Sequence, residues 1–144
     1  MHRRLVLALL AAIMAGSVLR ADPVYDEAGV ALGGMDPVAY HTQGAARPGD
    51  PDQALMWRGS EWRFADAANR RLFEGDPKRY MPAFGGYSAV AVAEGRLLPG
   101  DPHIWVIRRG RLFLHDGPDA RDRFSEAPDT TIERAAARWP DLED

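Results

Sequence analysis

An α+β fold, a small antiparallel sheet of hairpins with short flanking helices, is what this 144-residue sequence predicts. Three observations carry the reading. Aromatic-rich runs broken by glycine turns mark hairpins. Asp-Pro pairs at 22–23, 36–37, 50–51, 76–77 and 101–102 mark turns and helix starts. Strand pairs interspersed with short helices favour α+β over repeated βαβ units.

Residues 1–21 are expected to be a signal peptide, and residues 22–144 a single domain. Arg3 and Arg4 supply a positive start, and Leu5 to Ala15 is an uncharged apolar run. That run is shorter than the roughly 20 residues that span a bilayer, and it suits an export signal. Cleavage is expected after Ser17 or after Ala21, placing the chain in the periplasm or outside the cell, with no stable membrane insertion. Loss of Arg3, Arg4 and Arg20 would leave 15 basic residues against 21 acidic ones, a net charge of −6. Such a balance excludes a nucleic-acid partner, which needs a basic face. No cysteine is present, so the fold rests on its core and not on disulfides.

The elements follow in order. Asp36-Pro37 opens a short helix through Tyr40 and His41, because Asp accepts from free helix-start amides and Pro fits the first position. A Gly/Pro loop leads to a hairpin of Ala54–Trp57 and Glu61–Phe64 around Gly59-Ser60. Asp66 caps a helix from Ala67 to about Glu74, with Leu72 and Phe73 facing inward and Gly75 ending it. Asp76-Pro77 starts another short helix. Tyr87 to Val92 suits either a buried strand or a helix, and periodicity does not decide. Ile104–Ile107, apolar on both faces, reads as a central strand whose partner is Arg111–His115. Thr130 and Glu133 form a capping box for a last helix that directs Ile132, Ala135 and Ala136 inward and stops at Trp139-Pro140. No internal repeat is evident.

These segments resemble a known family. Gly34–Tyr40 is similar to the GYDPVAY opening of long, exported YHS-domain proteins, and Trp62 to Tyr80 to their F-x-S-x-E-N…F…DP-x-x-Y core. Phe84–Tyr87 resembles their QYGGYC step. Ile104–Leu114 resembles their AWTIVDGKLYL hairpin, and Ala137–Leu142 their terminal WPxL. The resemblance covers residues 29–142 in order and implies a YHS-like fold. The family's thiol positions fall on Ala39, Ala65, Asn69 and Ser88, so its soft metal chemistry is not carried over.

Candidate chemistry is sparse. His41, His103 and His115 can all be read as isolated turn or surface residues. The sharper reading is a copper or zinc site made by His103 and His115. A two-residue loop at Arg109-Gly110 would put them on opposite faces, whereas a three-residue loop, Arg108–Gly110, would align them. Turn chemistry favours the longer loop, because the shorter one forces positive φ on Arg109. Asp101 or Asp116 would then complete a shell.

Met35, Met56 and Met81 lack the clustering of copper ligands. Gly85-Gly86 reads as a tight turn with no phosphate-loop context. Ser60, Ser88 and Ser125 lie in no nucleophile motif, and Asp119/Asp122 read as a solvated helix face. Trp57, Trp62, Tyr80, Tyr87 and Trp105 are either core packing or the lining of an apolar pocket. The expectation is an exported YHS-like binding or interaction module for an unknown small molecule or protein. A metal-handling accessory using His and carboxylate ligands is the alternative, followed by an enzyme with a small-molecule pocket.

Overall fold

Residues 23–143 are described by a computed structural model, so the expected signal peptide lies outside the described residues. The described chain is α+β. Its strands are β1 (Asp26–Glu27), β2 (Val30–Ala31), β3 (Asp50–Trp57), β4 (Ser60–Phe64), β5 (Asp101–Arg108) and β6 (Arg111–His115). Its helices are α1 (Ala39–Thr42), α2 (Ala67–Gly75), α3 (Pro77–Tyr80), α4 (Ala89–Ala93), α5 (Pro118–Glu126) and α6 (Pro128–Leu142). Two 3-10 turns, Leu32–Gly34 and Ala83–Gly86, complete the set. The strands form two sheets, one ordered β1-β2-β4-β3 and the other β5-β6. The larger sheet is mixed, because β2 runs parallel to β4.

Local chemistry accounts for the helix starts. The Asp66 carboxylate accepts from the Asn69 amide at 2.8 Å, and Asp76 accepts from the Arg79 amide at 3.3 Å with Pro77 in the first position. Asp36 is fully buried. One of its oxygens accepts from the Val38 amide (2.8 Å) and the Ala39 amide (3.4 Å); the other accepts from the Ala65 amide (2.8 Å) and Asn69 Nδ2 (2.7 Å). This one carboxylate ties α1 to the end of β4 and to α2. Phe73, one turn on from Asn69, is buried with it on α2, whereas Leu72 is 46% exposed.

Residues 89–93 prove helical. Ala89 to Val92 are all buried, so no polar face existed to report a period. α6 starts at Pro128 and not at Thr130, with the Thr131 hydroxyl donating to the Ala127 carbonyl at 2.8 Å. It also runs through Pro140 to Leu142, since in the last turn proline forfeits little more than its own donor. Ala136 points outward, while Ala135 is buried and Ile132 half-buried.

The central strand of the second sheet is β6, not β5. Leu112 and Leu114 enter one apolar cluster with Tyr40, Trp62, Phe64 and Phe73. Phe113 enters the other with Phe84 and Phe124. β5 is the edge, and its Trp105 is half-buried, edge-on to Tyr40 at 5.2 Å.

The described chain repeats one plan twice, contrary to the expectation of no internal repeat. Pro48-Gly49-Asp50-Pro51 recurs as Pro99-Gly100-Asp101-Pro102, and Arg58-Gly59 recurs as Arg109-Gly110. The hairpins share a register: Asp50 opposes Phe64 and Ala54 opposes Arg63 across a bulge, as Asp101 opposes His115 and Trp105 opposes Leu114. The bridges Met35–Pro48 and Tyr87–Pro99 correspond, as do the parallel pairings Val30–Glu61 and Pro82–Leu112. The Gly49 amide donates to the Gly34 carbonyl at 2.8 Å, and the Gly100 amide to the Gly86 carbonyl at 3.0 Å. A Cβ on Gly49 would meet Arg63, and one on Gly100 would meet Leu114, in both cases at about 2.5 Å or less. Phe73 and Phe124 are the buried residues of α2 and α5, and Pro77 and Pro128 open α3 and α6. Two half-units, joined through Met81 and interlocked by β6, make up the described fold.

Candidate functional site

Where the two halves meet, a groove of about 350 Å³ opens. The 3-10 turn of each half contributes a glycine, Gly33 and Gly85, and the segment 99–102 closes one side. Its floor is apolar: Ala31, Leu32, Trp62, Pro82 and Leu114. Val24, Tyr25 and Glu27 line it from the N-terminal arm, which is anchored by the Tyr25 amide donating to the Gly85 carbonyl at 2.9 Å. Gly85 has to be glycine here. Its φ is +62°, and a Cβ would lie 2.0 Å from the Pro23 carbonyl oxygen.

Among the described residues two carboxylates line the groove, Glu27 and Asp101, and no cationic side chain does. Glu27 accepts from the Tyr25 hydroxyl at 3.1 Å. Desolvation, then that hydrogen bond, raises the Tyr25 pKa. Asp101 accepts from the His103 amide at 2.8 Å, as Asp50 does from the Asp52 amide at 2.9 Å in the first half. The Tyr40 hydroxyl donates to the Pro102 carbonyl at 2.6 Å and holds this wall in place. Burial, with the charges of Asp101 and Asp36, pushes the Tyr40 pKa up. Leu32 adopts φ 55° and Phe84, its counterpart, also φ 55°. Bulky residues seldom enter this region, so both turns carry strain.

His103 and His115 are not brought together. The hairpin turns on two residues, with Arg108 opposite Arg111 and Arg109 at φ 49°, so the three-residue loop is not formed. A two-residue turn of this hand matches the twist of its strands, and that gain outweighs the cost of left-handed backbone at an arginine. Arg58 does the same at φ 50° in the first hairpin. The bulge then sets His115 opposite Asp101. The His103 side chain is 67% exposed, with Nδ1 3.4 Å from Asp101. His115 is fully buried, its ring 4.8 Å from that of Phe124, and neither nitrogen has a hydrogen-bond partner. Burial lowers its pKa to about 4, outweighing the raising effect of Asp116. Among the described residues no group of three or more His, Asp or Glu side chains is placed to hold a metal ion.

The remaining candidates fill structural roles. His41 packs edge-on against Tyr80 at 5.4 Å, and burial lowers its pKa. The Ser60 hydroxyl donates to Asp26 at 2.7 Å, that of Ser88 to Asp116, and that of Ser125 to the Arg121 carbonyl at 2.9 Å. None has an imidazole partner. Met35 and Met81 pack on the first core cluster, whereas Met56 is exposed. Of the five aromatics considered, Trp62 alone lines the groove, and its indole donates to the Trp57 carbonyl at 3.0 Å. Sequence reasoning missed Glu27. The signal for Asp101 was the second copy of Pro-Gly-Asp-Pro. No helix among the described residues is long and apolar enough to cross a membrane. Comparison with protein-family models, curated proteins and solved structures finds no match.

Proposed function

We propose that the chain is an exported YHS-like binding module whose ligand occupies the groove between its two halves. The ordered sequence motifs support the family, and the charged start with its short apolar run supports export. The groove is the observation that carries the reading. At about 350 Å³ it matches the size range of small-molecule sites, with an apolar floor and few polar groups. Its two carboxylates select the ligand's charge: a small organic cation, with an apolar body on the floor and an amine toward Glu27 and Asp101. The metal-handling alternative has no comparable support, because its two histidines are separated. Among the described residues the hydroxyls of Ser60, Ser88 and Ser125 bond to Asp26, Asp116 and the Arg121 carbonyl, not to an imidazole.

A dansyl-labelled alkylamine tests the proposal, with the neutral dansyl alkylamide as control. Glu27→Gln and Asp101→Asn keep their hydrogen-bonding atoms and remove one charge each. Each should weaken the amine several-fold and leave the amide unchanged. Unaltered amine binding in both variants would remove the groove as the site.

A further inference from the structure

We propose that residues of both halves form a second ligand site, a cationic cleft that takes a phosphate group on an apolar body. Ala31-Leu32-Gly33 wall the groove described above, and their counterparts Ala83-Phe84-Gly85 wall another cavity, of about 360 Å³. The two cavities share Pro82 and Gly85, so one strained turn divides them. Their charges are opposite. The first holds two carboxylates; the second is lined by Lys78, Arg79 and Arg111, together with Arg58, and among the described residues by no carboxylate.

In a chain with more acidic than basic residues, this cleft gathers basic side chains. Arg63, Arg70, Arg108 and Arg123 all have a carboxylate partner within 3.1 Å. Lys78, Arg79 and Arg111 form no ion pair with another described residue. Aromatic faces hold the two guanidinium groups: Arg79 lies over Tyr80 at 5.5 Å and Arg111 over Phe113 at 5.6 Å. Planar guanidinium forks placed this way fit phosphate oxygens in pairs, and the lysine adds a third positive charge suited to a dianion. Met81, Phe84 and Trp139 supply an apolar wall, which favours an organic phosphate over the bare ion.

Calorimetric titration of the purified chain with phenyl phosphate and with inorganic phosphate tests this. Phenyl phosphate should bind several-fold more tightly. The double variant Arg79→Gln/Arg111→Gln should lose about tenfold or more in affinity for both, the scale of losing a charge-assisted hydrogen bond. Glu27→Gln should leave both affinities unchanged, which separates this site from the groove. Should the double variant melt earlier than the parent chain, Lys78→Gln, on an exposed side chain, reads the same loss. A parallel arm uses phosphatidylcholine vesicles with and without phosphatidylglycerol. Binding only to the anionic vesicles, lost in the variants, would assign the phosphate to a lipid headgroup. Binding to none of these probes, or equal binding by parent and variants, overturns the site.

Discussion

His115 stands in the second half where Phe64 stands in the first, and both pack against the phenylalanine of the following helix: Phe124 at 4.8 Å, Phe73 at 5.1 Å. An imidazole in a phenylalanine slot leaves two buried nitrogens without partners, which costs stability at any pH. Acid should add to that cost. Above pH 6.5 the ring is neutral whether folded or unfolded, and nothing is lost. Between 6.5 and about 4 only the unfolded chain takes up the proton, so stability falls by up to about 1.4 kcal/mol for each pH unit. Below about 4 the loss levels off. His115→Phe should therefore raise the melting midpoint at pH 5 and flatten its pH dependence over this window. Identical acid profiles for the two proteins would show that His115 is not the group responsible. Its sequence reading as a metal ligand failed because a histidine's neighbours depend on register, which residue type does not report. The roles of Asp66 and Asp76, by contrast, were legible, since a cap acts on amides within three residues of itself.

At the scale of elements, the helix starts that carry an acidic cap were readable and the hairpin geometry was not. Turn choice at Arg109-Gly110 balances a local penalty against a ladder-wide twist, and only the local half is visible in the turn residues. The positive φ at Arg109 gives a direct measurement. Arg109→Asn, which tolerates left-handed backbone better, should stabilise the protein by about 0.5–1 kcal/mol. The pair that Arg109 makes with Asp129 at 3.3 Å is largely exposed, so its loss offsets little. An unchanged or lower denaturant midpoint would mean that the turn holds arginine without strain. Hydrophobic periodicity also failed where burial was total: α4 has no polar face to report its type, whereas β6 was legible as a strand but not as the one buried on both sides. The groove was illegible for a related reason. Glu27 belongs to a two-residue strand in the arm, and only the fold carries it to Asp101.

For the molecule as a whole, the duplication was present in the sequence as two copies of Pro-Gly-Asp-Pro and two of Arg-Gly. It escaped notice because one residue is missing between Val92 and Gly95 relative to Tyr40 and Gly44, and because the helices have diverged. Asp36 shows how far. Its buried carboxylate bonds the Ala65 amide, whereas its counterpart Ser88 donates to Asp116, the counterpart of Ala65, so the acid has moved to the opposite partner. Duplication has a further consequence, for assembly. The halves offer hairpins of the same register, and only Met81 separates the end of α3 from Pro82, which already pairs with Leu112. A junction that short makes folding back within one chain demanding, while a second chain supplies the same partner with no such restriction. Concentrated refolding should therefore yield domain-swapped dimers that exchange slowly with monomer on size-exclusion chromatography. Inserting Gly-Ser-Gly-Ser after Met81 should lower the dimer fraction; an equal fraction with and without the insert would show that the junction does not drive the exchange.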